Sequence, residues 1–199
     1  QYDQKLVIDH PQRAKGLHSL LYKCAACGEE HQTNSAGTKI WCDACGKVWE
    51  MDELGRLHAE CGVTEFEHIP DWSNWERECV KNEILSGEYL LDIDVEIGVL
   101  VDYKGLYMIG SGHLTHDRSG FRLVSDDGQL EYTQKPMVAH TLNSDYYWYE
   151  IGDVIGIGNN EFSYFCFPKE NVSVTKARLA TEELYKMKNK KLFFISILG

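Results

Sequence analysis

Four cysteines carry the clearest chemistry in this chain. Cys24-Ala25-Ala26-Cys27 and Cys42-Asp43-Ala44-Cys45 are two Cys-x-x-Cys pairs separated by fourteen residues, and each is followed directly by glycine, Gly28 and Gly46. A Cys-x-x-Cys turn brings two thiolates within reach of one metal ion, and glycine adopts the left-handed backbone that lets amides face the sulfurs. The spacer has room for a short hairpin that returns the second pair to the first. Four sulfur ligands make a closed tetrahedral zinc site with no open position for water or substrate. The expected cofactor is therefore structural Zn²⁺ on Cys24, Cys27, Cys42 and Cys45, and no catalytic residue is expected at the metal.

Other readings of the thiols fit less well. Seven cysteines are an odd number for a disulfide framework, and 199 residues are enough to build a core without one. A redox Cys-x-x-Cys occurs once, beside a βαβ pattern, and no such pattern is present. Cys61, Cys79 and Cys166 are expected to be small buried apolar groups. His113 and His116 fall on a predicted strand at a spacing that points them to opposite faces. His140 and Asp145 match a His-x4-Asp spacing, but no anion-binding motif accompanies them, so a hydrolase using that pair is the weakest reading. No nucleophile elbow, phosphate loop or dinucleotide fingerprint appears.

Charge narrows the partners. The chain has 20 basic and 31 acidic residues, a net charge of −11. From His18 to Cys61 four basic residues face seven acidic ones, and four thiolates on one dication would add two more negative charges. Nucleic-acid binding needs cationic contacts to phosphate, so no nucleic-acid partner is expected. Positive charge gathers instead between Val174 and Lys191, where six basic residues accompany only Glu182 and Glu183. Lys186, Lys188, Lys190 and Lys191 are the candidates for contact with an anionic lipid or an acidic partner, although lysines in a last helical turn also suit the helix dipole. No apolar run is long enough to span a bilayer. The chain opens on Gln1 in a polar stretch, which reads as a piece of a longer polypeptide.

Periodicity places these groups on elements. Residues 1–17 read as an extended linker and 18–60 as a zinc ribbon, with strands near Leu20-Leu21-Tyr22, Lys39-Ile40-Trp41 and Lys47 to Glu50. Trp41 and Trp49 are expected to shield the metal. Residues 61–88 read as a helical connector, with Ser73 and Glu76 as a capping box, Trp72, Trp75, Cys79 and Val80 at helical spacing, and Gly87 as its end. Over 89–189 the period becomes two: Val95, Ile97, Val99, Val101 and Tyr103 alternate with Asp94, Glu96 and Asp102. Six further strand segments follow, separated by turns such as Tyr103-Lys104-Gly105, Asp117-Arg118-Ser119-Gly120 and Asp126-Asp127-Gly128. Such short connections require antiparallel pairing. A final helix begins near Ser173 or Val174, with an apolar stripe through Ala177, Ala180, Leu184 and Met187. The expected fold is mainly β: an N-terminal four-cysteine zinc ribbon, a linking helix, and a pleckstrin-homology-like (PH-like) seven-stranded antiparallel β barrel or sandwich capped by the C-terminal helix. Residues 190–199 read as an apolar tail.

Several blocks then align with a known family. Asp9-His10-Pro11-Gln12-Arg13-Ala14-Lys15-Gly16-Leu17-His18, Leu21-Tyr22-Lys23-Cys24, His68-Ile69-Pro70-Asp71-Trp72, Tyr146 to Asp153, and Lys176 to Tyr185 together resemble the C-terminal region of Firmicutes-type 1-acyl-glycerol-3-phosphate acyltransferases. The resemblance runs from about Asp9 to Lys188. It implies an upstream catalytic domain carrying the family's His-x4-Asp and glycerophosphate-binding motifs, and neither motif maps onto this chain. His140 and Asp145 inherit no role. It also implies a parent that moves a fatty acyl group to lysophosphatidic acid at the cytoplasmic membrane face. The chain is then expected to be a non-catalytic, zinc-binding accessory region that braces or positions the catalytic half. Its expected partners are that upstream domain and either an anionic membrane surface or an acyl-carrier protein. The alternative is a protein- or lipid-interaction module that recruits a partner.

Overall fold

The computed structural model describes residues 6–101, 105–148, 150–159 and 163–197, with the backbone alone for 101 and 190–197. The chain divides into two compact units after Cys79. It is mainly β, with one four-stranded and one seven-stranded antiparallel sheet and three helices among the described residues.

The first unit is built around the cysteines. α1 (Leu17–Leu20) is a single helical turn that ends on the first residue of the expected Leu20-Leu21-Tyr22 strand, whose other two residues join no sheet. Residues 11–16 form turns rather than an extended run. Ala14, in those turns, is fully buried. β1 (Thr33–Ala36), β2 (Lys39–Cys42), β3 (Val48–Met51) and β4 (Leu57–Ala59) pair in that order as a meander. Its inner face contributes Ile40, Cys42, Trp49, Met51 and Leu57 to a core that also holds Ala14, Leu21, Cys24 and Trp72.

α2 (Ile69–Ser86) begins four residues before Ser73, with Pro70 in its first turn, where a missing N–H leaves no bond unmade. Ser73 therefore lies inside the helix and does not form a capping box with Glu76. Gly87, at φ 86°, ends α2, and the amides of Gly87, Glu88 and Tyr89 all donate to the Glu83 carbonyl.

In the second unit β5 (Leu91–Val101), β6 (Gly105–Asp117), β7 (Gly120–Ser125), β8 (Glu131–Gln134), β9 (Asn143–Trp148), β10 (Gly152–Gly158) and β11 (Ser163–Pro168) form one sheet in the order β8-β7-β6-β5-β11-β10-β9. Alternation on β5 has the expected sense, with Ile93, Val95 and Ile97 buried and Asp92 and Asp94 exposed. Strand count, antiparallel pairing and the closing helix follow the expected plan. Closure does not. β8 and β9 are the two edges and do not pair, so the sheet is open rather than a barrel.

α3 (Val174–Ile197) packs on β9 and β10. Ser173 caps it, its Oγ accepting the Lys176 N–H at 3.0 Å. Val174 and Ala177 enter the sheet's core beside Leu114, Phe121, Leu123, Ile155 and Cys166. The buried surface is wider than one stripe, since Leu179, Thr181 and Glu183 are buried too. The backbone of α3 continues through residues 192–197, which the apolar pattern had set apart as a tail.

Part of the expected Tyr103-Lys104-Gly105 turn lies outside the described residues, as do the side chains of Lys190 and Lys191.

Candidate metal centre

Two knuckles of the same construction hold the four thiols. In the first, the Cys24 N–H donates to the Glu29 carbonyl at 2.8 Å and the Gly28 N–H returns to the Cys24 carbonyl at 2.9 Å. In the second, Cys42 N–H meets the Lys47 carbonyl at 2.9 Å and Gly46 N–H the Cys42 carbonyl at 2.8 Å. Gly28 at φ 79° and Gly46 at φ 71° take the left-handed conformation on which each turn depends. The turned amides then face sulfur: those of Ala26 and Cys27 donate to Cys24, and those of Ala44 and Cys45 to Cys42.

The hairpin β1–β2 brings the second knuckle onto the first. Cys24 Sγ lies 3.8 Å from Cys45 Sγ, and Cys27 Sγ lies 3.8 Å from Cys42 Sγ. All four sulfurs fall within 4.8 Å of one another, a set that can hold a metal ion. The leading cysteine of each pair, Cys24 or Cys42, is buried, and the trailing one, Cys27 or Cys45, is exposed.

Burial pushes the Cys24 and Cys42 thiols above the ordinary cysteine range, against the pull of the knuckle amides. Desolvation acts on Cys45 in the same direction. There the Lys47 N–H and the neighbouring sulfurs outweigh it, and the net shift is downward. Holding these thiols together as thiolates therefore calls for a cation.

α2 supports the first knuckle. Trp72 Nε1 donates to the Lys23 carbonyl, and Glu76 Oε1 accepts the Lys23 N–H, both at 2.9 Å. Trp72 and Glu76 are fully buried. Nothing in the local sequence separates this use of Glu76 from a capping box, because Ser73 precedes it at the same three-residue interval. Trp49 is also fully buried and donates from Nε1 to Glu65 at 2.9 Å. It shares a core with Cys24 and Cys42. Trp41 is half-buried, outside that core, and its indole donates to Asp43 at 3.0 Å.

The remaining candidates are dispersed. His58 pairs with Asp52 at 2.8 Å, and Cys61 is exposed rather than buried; neither joins the cluster. Asp52 and His58 line a cavity of about 440 Å³ together with Arg13, Glu50, Met51, Glu53 and Leu54, a lining without a hydroxyl or thiol nucleophile. Cys79 is half-buried, whereas Cys166 is fully buried and its thiol is pushed up to about 12.

His140 lies edge-on to Tyr185, while Asp145 accepts the Tyr146 N–H; no hydrogen bond joins the two. His113 and His116 do point to opposite faces, one exposed and one buried. Lys186 pairs with Glu183 at 2.7 Å, and Lys188 is exposed. No described helix is long and apolar enough to cross a membrane. No family model, curated protein or solved structure matches the chain.

Proposed function

We propose that the four cysteines hold structural zinc and that the chain serves as a non-catalytic accessory region. The observation that carries this reading is the sulfur geometry. A tetrahedron of sulfurs about 2.3 Å from a central zinc has edges of about 3.8 Å, and two inter-knuckle pairs, Cys24–Cys45 and Cys27–Cys42, stand at 3.8 Å. Four thiolates satisfy the ion completely, so what zinc supplies here is folding free energy rather than a reactive water.

The larger protein is suggested by the sequence resemblance alone. On that reading the parent is a lysophosphatidic acid acyltransferase of phospholipid biosynthesis at the cytoplasmic membrane face, and this region braces or positions its catalytic half. The test compares the parent with and without residues 9–188, in membranes and in detergent, alongside the isolated chain. Loss confined to membranes supports positioning, and loss in both supports bracing. Acyl transfer to lysophosphatidic acid by the isolated chain would refute an accessory role.

A second reading, a module that recruits a partner, is favoured by one stretch of β6. Of β6, only Gly112–Asp117 pairs with β7, which leaves the earlier half on β5 alone among the described residues. There Tyr107, Met108 and Ile109 are 61%, 49% and 51% exposed in succession. Sedimentation with anionic vesicles separates lipid from protein recruitment, and Lys186 and Lys188 would contribute a salt-sensitive share to the former.

A further inference from the structure

A fully buried carboxyl on α2, that of Glu76, forms no ion pair among the described residues. Glu76 is 0% exposed, and its Oε1 accepts the N–H of Lys23 at 2.9 Å. Its Oε2 has no hydrogen-bond partner among the described residues. The Lys23 ammonium, whose charge acts on Glu76, is paired with Glu30 at 3.0 Å. Burying an acid in this way is unfavourable, and an apolar residue would serve helix packing better. Its position gives it a use. Lys23 immediately precedes Cys24, and Trp72, one turn earlier on α2, holds the Lys23 carbonyl. The two side chains therefore grip the residue that leads into the first knuckle by both its N–H and its C=O.

We propose that Glu76 is a positioning residue of the metal centre: by holding the Lys23 amide it sets the direction from which Cys24 enters the sulfur cluster. The role rests on the reading of the four cysteines as a metal clasp. Outer-shell groups of this kind change metal affinity about 10–100-fold when removed.

The carboxyl does this as the neutral acid. Burial, helped by the nearby Glu30 carboxylate, raises it to about 8, against the Lys23 and Tyr22 amides and the Lys23 ammonium. Tyr22, buried on the same segment, supplies no positive charge. A thiolate-bound dication would carry the same sign of net charge as an ionised Glu76. Ionisation above about pH 8 strengthens the Lys23 N–H bond but leaves an uncompensated buried charge. That charge has the same sign as the thiolate-bound dication, so metal binding opposes it and Zn²⁺ affinity falls there.

The test titrates Zn²⁺ against a chromophoric chelator, from pH 6 to 9, on the full chain and on two variants. Co²⁺ spectra report the geometry of the sulfur set. Glu76→Leu removes the acceptor and is expected to weaken Zn²⁺ affinity at least about 10-fold and to alter the Co²⁺ bands. Glu76→Gln keeps an acceptor without the titration. It is expected to match the unaltered chain at pH 6–7 and to bind more tightly than it above pH 8. Should Glu76→Leu fail to fold, the Glu76→Gln profile decides alone. Unchanged affinity and spectra in Glu76→Leu, or a Glu76→Gln profile that tracks the unaltered chain at every pH, overturns the role. If the unaltered chain binds no Zn²⁺ at all, the metal clasp itself fails.

Discussion

Trp72 Nε1 donates to the backbone carbonyl of Lys23 at 2.9 Å across forty-nine residues of sequence. The same indole meets Trp49 edge-on, with ring centroids 4.9 Å apart and planes at 62°. One side chain thus fills the core of the first unit and fixes the approach to Cys24. Trp72→Phe retains most of the volume and loses the donor, which is expected to cost about 1–2 kcal/mol. Trp72→Ala also opens a cavity and is expected to cost about 3–5 kcal/mol. Denaturation of the zinc-loaded chain, followed by near-ultraviolet circular dichroism, measures both. No measurable loss in Trp72→Phe would show that the hydrogen bond contributes nothing.

Removing the metal is expected to act on one unit. Cys24, Cys42, Trp49 and Trp72 share a core that contains no residue of the seven-stranded sheet. A strong chelator, or Cys42→Ser, should therefore abolish amide-exchange protection in β1 to β4 and leave β5 to β11 protected. Preserved protection in β2 and β3 after complete demetallation would remove the structural role from the ion.

The metal cluster was legible because doubled Cys-x-x-Cys-Gly spacing is specific, and the large sheet because alternation on β5 marks which face is buried. β1 and β4 escaped notice: Thr33-Asn34-Ser35-Ala36 has no large apolar residue to mark a buried face, and the three residues of β4 are too few for alternation to register. The apolar run Leu20-Leu21-Tyr22 reads as a strand, but α1 ends on Leu20 and the next two residues join neither sheet. Closure was not legible either. Whether β8 meets β9 depends on how far the sheet curls between its edges, a property of the whole assembly rather than of either strand's residues. Glu76 is the sharpest case. The interval from Ser73 satisfies a capping box as well as a tertiary contact, and only the true start of α2 decides between them.

Two glycines with positive φ should respond differently to alanine. At Gly120, φ is 110° and an added Cβ would lie 2.0 Å from the Gln134 carbonyl oxygen on the neighbouring strand. Neither backbone can yield without breaking the β7–β8 ladder, so Gly120→Ala is expected to cost more than about 4 kcal/mol. Gly110, at φ 134°, has nothing within 4 Å of its added Cβ. Gly110→Ala carries only the conformational strain, about 1–2 kcal/mol. Chemical denaturation compares the two, and similar losses would mean that strain rather than collision dominates at Gly120.

Acid should weaken the second unit through His116. The ring is 1% exposed, stacks on Phe121 with centroids 3.6 Å apart, and places Nδ1 2.9 Å from the Tyr89 hydroxyl. Burial depresses it to about 3. In the unfolded chain a histidine takes up its proton near pH 6.5, so below that pH the unfolded state binds more protons and stability falls. By pH 4 this single group is expected to have removed about 3 kcal/mol relative to pH 7. His113, on the opposite face, shifts upward because Asp94 and Asp92 accept from its ring, but its exposure keeps its contribution small. Urea denaturation from pH 7 to 4 should therefore show a shallower loss in His116→Phe than in the unaltered chain, whatever its baseline stability. Parallel pH profiles would show that the buried imidazole is not what the acid attacks.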